Sequence, residues 1–391
     1  MLKLKKKNFI ILLVVVFFLG IGVTFGGIGV YKVVAGKTMA PTAEYDALKH
    51  FASEYKQLYE ADQYISKNFL WDYNTDKIQT KICKTLVDSL GDNYSSYMTK
   101  KEYQEFQENL SGSFYGVGVT FIDENGKYIV RETVDGTPAQ RAGLKKDDQL
   151  VKVDGKTYKN QDDMMNAIRG PKGSKVTIEY IRGGVTMHVT MVREEISVPS
   201  VNAEVMDGNI GYIRIKSFDE NTGKDFESEL RELEGKDVKG LIIDLRVNGG
   251  GYVKESIKVA DLLLPACTVV SMQNKAGVKQ SYDSDASCTD LPYVVLVDGG
   301  TASASEILAG AIQDNKGGKI VGTKTFGKGI VQTSYELKNG GAVKLTTMEY
   351  VTPNGHKVHK KGIKPDYIVK LKANDMTDYQ LNKAKELLNK K

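Results

Sequence analysis

A serine, a lysine and the glycines beside them raise the chemical question in this chain. Ser303 lies in "GGTASASEILAGA", residues 299–311, and is followed by Glu306 and the apolar run Ile307, Leu308, Ala309, Ala311 and Ile312. That is the pattern of a capping box opening a helix, in which the serine hydroxyl serves the backbone. The same hydroxyl becomes a nucleophile wherever a base takes its proton. Both roles fit the residues, and the choice depends on a base.

The four histidines, His50, His188, His356 and His359, fall far from this stretch in sequence. No G-x-S-x-G elbow accompanies them, so a histidine triad is not indicated. His356 and His359 lack the glutamate motif of a zinc site and read as surface polar groups. "GTKTFGKG", residues 322–329, falls short of a phosphate-loop pattern. A lysine with a neutral amine is the remaining kind of base, and Lys328 in "TFGKGIVQ" is the candidate. Gly327 and Gly329 let the backbone pass close to other elements, and burial lowers a lysine pKa from about 10.4 toward neutrality. Gln332, four residues on, falls on the same strand face and is placed to orient the amine. A solvated loop lysine fits the same residues.

These residues need a scaffold, and 391 residues suffice for two or three domains. The 54 Lys and Arg against 49 Asp and Glu leave a net charge of +5, with no basic stripe interleaved with aromatics, so no nucleic-acid partner is expected. Lys3, Lys5, Lys6 and Lys7 precede an uncharged stretch from Asn8 through Tyr31. About 20 apolar residues span a bilayer as a helix, with the preceding lysines on the cytoplasmic side. The stretch exceeds the roughly 7 to 15 apolar residues of a cleaved signal peptide, although Val33-Val34-Ala35 weakly resembles a cleavage site. The expectation is therefore a single-pass membrane anchor with everything after it extracytoplasmic. In such a compartment Cys267 and Cys288, flanking the strand-like Thr268 to Met272 and a polar turn region, are candidates for a disulfide that spacing alone does not prove. Cys83 lies in a helical pattern with Ile82, Leu86 and Leu90 and reads as a small buried apolar residue.

Residues 41–111 read as a helical region, with Leu48, Phe51, Tyr55 and Leu58 and then Ile78, Ile82, Leu86 and Leu90 at helical spacing. From about Gly112 short β runs with glycine turns take over. "YGVGVTFIDENGKYIVRETV" reads as a hairpin with an Asn-Gly turn, and "KVTIEYIRGGVTMHVTMV" as another. "GTPAQRAGLKKDDQLVKVDGKTY" reads as a short helix and two strands. From Ser197 strands alternate with helices, and "GLIIDLRVNGGG" and "PYVVLVDGG" are buried strands ending in glycine loops. That alternation indicates an α/β core with its loops gathered at the strands' C-terminal ends.

Residues 112–196 resemble a PDZ domain. Tyr115, Gly116, Val117, Gly118 and Val119 stand in the place of its carboxylate-binding loop, and "PAQRAGLKKDDQLVKVDG" is similar to a characteristic inner stretch. "DLRVNGGG", "TASASEILAGAIQD", "TKTFGKGIVQ" and "YVTPNGHKVHKKGIKPDYIV" follow in this order, and the whole set resembles the C-terminal processing (tail-specific) serine peptidases. The resemblance implies Ser303 as nucleophile, Lys328 as general base and Gln332 as its partner. It also implies an oxyanion hole from Gly250 or Gly249 together with Ala304, with no metal or other cofactor. The family often has Asn-Pro-Gly-Gly after "DLR", whereas here Gly249 takes the proline position. The implied fold is a multidomain α+β and α/β chain. It comprises an anchor (1–40), a helical region (41–111), the PDZ domain (112–196), the protease core (197–372) and a terminal helix (373–391). The implied partners are proteins with free C-terminal tails and a second copy of the chain. Arg169, at the end of the second PDZ helix, is a candidate for coupling tail binding to the core. The competing reading is a catalytically silent PDZ adaptor that holds tails without cutting them.

Overall fold

The computed structural model describes residues 42–197, 199–371 and 375–389. The expected anchor, Asn8 to Tyr31, lies outside them, and among the described residues no helix is long and apolar enough to cross a membrane. The chain forms two units, divided after Asp76. In the first, α1 (Thr42–Glu54) and α2 (Lys56–Asn68) leave Leu48, Phe51 and Leu58 exposed. The helix α3 (Thr75–Asp88), which begins two residues before the division, buries Val87 and exposes Ile78, Ile82 and Leu86, with Cys83 half-buried. This corrects the expectation of apolar stripes and a cysteine packed inward: helical periodicity marks a face, and the face is buried only where another element lies on it.

Strand β1 (Ser96–Met98) leads into α4 (Lys100–Ser111), whose start is a capping box between Thr99 and Glu102. The helix stops at Gly112, which has φ 70°, and a Cβ there would lie 2.5 Å from the Asp219 carboxylate. Only glycine meets both demands.

The next module contains β2 (Ser113–Gly116), β3 (Val119–Glu124), β4 (Lys127–Thr133), α5 (Pro138–Arg141), β5 (Gln149–Val153), α6 (Gln161–Ile168), β6 (Lys175–Arg182), β7 (Val185–Val192) and β8 (Glu194–Ser197). Strands β3 to β7 form one antiparallel sheet in sequence order, while β2 and β8 pair separately as a two-stranded ribbon at the module's entry and exit. The first hairpin turns on Asn125 (φ 56°) and Gly126 (φ 80°), as an Asn-Gly turn of primed type requires. After β5 the chain makes a single bridge, Lys156 to Val153, where sequence alone suggested a second strand. Val117, Phe121, Val130, Met164 and Ile178 fill the module's own core.

The remainder runs β9 (Val201–Met206), β10 (Ile210–Ile215), α7 (Thr222–Glu234), β11 (Leu241–Asp244), α8 (Val253–Leu263), β12 (Thr268–Asn274), β13 (Lys279–Asp283), β14 (Tyr293–Val297), α9 (Ala304–Asp314), β15 (Lys319–Gly322), β16 (Ile330–Glu336), β17 (Ala342–Val351), β18 (Tyr367–Ile368) and α10 (Tyr379–Asn389). A six-stranded sheet has the order β18-β15-β14-β11-β10-β9, parallel except for β9. Its wholly buried strands β11 and β14 are neighbours, so the loops after Asp244 and Val297 leave the same edge. A second sheet joins β1, β17, β12 and β13, with β16 also on β17. Cys267 and Cys288 are both free thiols, which corrects the expected disulfide. The ladder of β12 on β13 closes this segment instead, and Cys267 Sγ lies against Ser284 Oγ at 3.3 Å.

Candidate active site

Ser303 ends the loop after β14 and begins α9 with φ 57° and ψ −118°. A non-glycine residue held there stores strain of about 1–3 kcal/mol, so its surroundings must fix it. Ser303 N–H donates to Glu306 Oε2 at 3.0 Å, the expected half of a capping box. Glu306 N–H instead reaches the Ser303 carbonyl at 2.8 Å, and the hydroxyl makes no cap bond of its own. Ser303 is thus a helix start whose hydroxyl is not consumed by the helix.

Glu306 does far more than cap. Fully buried, it also accepts from Thr325 Oγ1 (2.5 Å), Gly327 N–H (2.7 Å) and Lys328 N–H (2.7 Å). One carboxylate therefore holds the backbones of Ser303 and Lys328 together. Tyr350, on β17, supplies a second tie: its hydroxyl lies 3.0 Å from the Ser303 carbonyl and 2.8 Å from that of Lys328. Burial, and then the charge of Glu306, push the Tyr350 hydroxyl pKa well up, so it stays a donor. The two glycines beside Lys328 are needed for close approach: a Cβ on Gly329 would lie 2.1 Å from His359 N, and Gly327 has φ 92° with a Cβ position 3.0 Å from Gly362 N. His359 is consequently half-buried, with Nδ1 unpartnered, and is not the surface group its sequence suggested.

The Lys328 amine is held below the ordinary lysine pKa, chiefly by burial and next by the like charge of Lys344, against the opposing pull of Asp92 and Glu306. Its Nζ stands 5.1 Å from the centre of the Tyr94 ring. No hydrogen bond joins it to Ser303 Oγ among the described residues, although both line one cleft of about 660 Å³. Gln332 lines that cleft too, but its amide donates to Thr346 Oγ1 at 3.4 Å. Lys328 lies two residues before β16 begins at Ile330, so strand alternation does not by itself set its side chain relative to Gln332, and the register shift between Val331 and Gln332 places its extra residue, Thr347, on β17.

The loop after β11 brings Gly250, with φ 99°, against the nucleophile: a Cβ there would lie 2.8 Å from Ser303 Cβ and 3.0 Å from Ala304 N. Ala304 N–H, at the first helical position, has no acceptor within its own helix. Gly250 N–H donates to Asn248 Oδ1 at 2.9 Å, so in this conformation it is turned to the buried Asn248. Gly249 is exposed, with open space where its Cβ would be. The loop is anchored by Arg246, which pairs with Asp244 (2.6 Å) and Asp378 (2.8 Å), and by Val247 N–H on Asp298 (2.9 Å).

The other expected site lies in the β-rich module. Gly118 has φ 76°, and a Cβ there would meet Thr137 Oγ1 at 2.4 Å, so the loop from Tyr115 to Val119 fits glycine alone at that point. Arg169 packs beside this loop, with its guanidinium 4.2 Å from the Phe114 ring centre and its Nε buried without a partner. Glu306 was legible only as a cap, and Tyr350, Lys344 and Asn248 gave no sequence signal, because their role is contact between segments far apart in the chain.

The sequence pattern of Peptidase family S41 matches residues 209–369, and that of a PDZ domain matches residues 116–192. The carboxy-terminal processing protease CtpA of Bacillus subtilis (strain 168) is 37% identical over 318 residues, which is 80% of this chain and 68% of that protein. A probable CtpA-like serine protease of Staphylococcus haemolyticus (strain JCSC1435) is 34% identical over 372 residues, 93% of this chain and 73% of that one. Among solved structures, the photosystem II D1 C-terminal processing protease is 28% identical, covering 80% of this chain and 86% of its own, with a TM-score of 0.49.

Proposed function

We propose that this chain, which belongs to the carboxy-terminal processing serine peptidases of family S41, cuts peptide bonds with Ser303 and Lys328 through an acyl-enzyme. The observation that carries this reading is the double tie of Glu306 and Tyr350, which fixes the backbones of a strained serine and a half-buried lysine in one cleft. Ser303 Oγ attacks the substrate carbonyl while the neutral Lys328 amine takes its proton. The oxyanion forms at the positive end of α9, where Ala304 N–H meets it. A second donor comes from the loop at Gly249 and Gly250 once Gly250 N–H leaves Asn248. The Lys328 ammonium then returns the proton to the leaving amine, and water, deprotonated by the same lysine, hydrolyses the acyl ester. Gln332 joins as the partner of the amine after the Lys328 side chain leaves Tyr94. The described conformation is thus a resting one. The loop from Tyr115 to Val119 receives the substrate's C-terminal carboxylate on backbone N–H groups, and the tail lies along β3.

The uncharged run after the N-terminal lysines anchors the chain with its catalytic part outside the cytoplasm, and two copies associate through the exposed faces of α1 and α2. Incubating the full chain in detergent with an unstructured protein and mapping fragments by mass spectrometry tests the reaction. A substrate-derived acyl group on a Ser303 peptide at low pH supports it; cleavage persisting in Ser303→Ala would refute it.

A further inference from the structure

We infer that Gln161 limits how many residues of a tail the β-rich module reads, because its side-chain amide already occupies the part of the β3 edge that a long tail needs. This inference rests on the reading of that module as a tail-binding site. Strand β3 is the edge strand of its sheet, with β4 as its one neighbour. In the β3–β4 hairpin Glu124 lies opposite Lys127 across the two-residue turn, so Asp123 N–H points to the free edge. There it donates to Gln161 Oε1 at 3.1 Å, while Gln161 Nε2 donates to the Phe121 carbonyl at 3.1 Å. These are successive groups of one strand edge, the kind that an added strand takes. Gln161 is the first residue of α6, and the preceding Asn160 fixes the helix start by accepting from Asp163 N–H at 2.8 Å. The amide is thus delivered by a capped helix to the strand beside it.

The direction of the tail follows from the loop. A carboxylate held between Tyr115 and Val119 sits at the N-terminal end of β3, so residues upstream of it run antiparallel toward Glu124. At about 3.3 Å per residue, two tail residues counted from Val119 end before Phe121, whereas seven pass both Phe121 and Asp123. A short tail pairs with the open part of the edge. A long one must evict Gln161, losing two hydrogen bonds for the two it gains, so added length brings wild-type affinity no benefit. The site thereby discriminates by the last two residues and leaves the upstream chain free to reach another part of the molecule.

The test uses the full chain carrying Ser303→Ala, to prevent cleavage, with or without Gln161→Ala. The probes are fluorescein-labelled peptides of two and seven residues that share the terminus Leu-Val with a free carboxylate. Anisotropy titration should give similar affinities for the two lengths with Gln161 present. With Gln161→Ala the seven-residue peptide should bind about thirtyfold more tightly, the worth of the two hydrogen bonds it no longer has to displace, and the two-residue peptide should be unchanged. Gln161→Glu, which keeps the acceptor and loses the donor, should fall between. Equal change at both lengths, no change at either, or weaker binding of the long peptide would overturn the inference. An amidated seven-residue peptide binding as tightly as the free acid would instead bring down the tail-site reading beneath it.

Discussion

A half-buried lysine can serve as base only to the extent that its neighbours keep it neutral, and around Lys328 they pull in opposite directions. Burial and Lys344 lower the Lys328 pKa; Asp92 and Glu306 raise it. In the proposed mechanism the neutral amine is the active form, so kcat/KM is expected to rise with pH through an inflection below the ordinary lysine value. Lys344→Met removes a positive charge, so protonated Lys328 becomes easier to form and the inflection moves to higher pH. Asp92→Asn removes a negative charge and moves it to lower pH. A pH–rate series on the two variants checks the signs, and shifts in the same direction would show that another group limits the rate. Ser303→Ala and Lys328→Ala should each lower turnover by at least about a thousandfold, since a nucleophile and its base act as a unit. Lys328→Ala should melt no earlier than the wild type, because it removes an amine whose charging burial already opposes.

At the scale of elements, β11, β14, α9 and β16 deliver their residues to one edge, but the register among those loops comes from Glu306. Replacing it by Gln puts an N–H₂ group among Ser303, Gly327 and Lys328 N–H donors that need an acceptor. The expected cost is about 2–3 kcal/mol of unfolding free energy, read from the urea midpoint, with kcat reduced far more than KM. A variant with wild-type kcat would remove Glu306 from the positioning machinery. Sequence made the strands visible because β11 and β14 are continuous apolar runs, and it made Ser303, Lys328 and their glycines visible because local spacing encodes a helix start and a close approach. It marked Glu306 as a cap because a capping box is local; the bonds from Glu306 to residues 325–328 depend on tertiary contact, which periodicity does not carry. The same limit applies to Gln332, because Lys328 precedes β16 and strand alternation does not extend to it. Apolar spacing in α1 to α3 likewise identified faces without saying that they would be exposed.

For the whole molecule, a signal from the inserted module to the cleft has as its covalent routes the two strands of one ribbon. β2 and β8 pair across Ser113–Ser197 to Gly116–Glu194, so entry and exit move together. Gly112, packed on Asp219 of the core, adjoins one end of this ribbon, and Arg169 stacks on Phe114 within it. Gly170 N–H also donates to the Tyr115 carbonyl at 3.2 Å, which ties the end of α6 to the tail loop. A carboxylate entering that loop therefore acts on a segment shared by tail site and ribbon. A ligand shifts such a balance only by binding the active arrangement more tightly than the resting one. In the described arrangement, which the proposed function takes as the resting one, Lys328 Nζ stands 5.1 Å from the Tyr94 ring centre and Gly250 N–H faces Asn248. The resulting prediction is that a peptide with a free C-terminus, added in trans, raises the rate on a short reporter peptide. Amidating the added peptide should abolish the effect, and Arg169→Ala should lose the stimulation while keeping its basal rate, since Arg169 touches neither Ser303 nor Lys328. Steady-state assays of the four combinations check this. Equal stimulation of Arg169→Ala and wild type would assign Arg169 to packing on Phe114 alone, and no stimulation of either would leave the module as a tether that concentrates tails near the cleft without altering it.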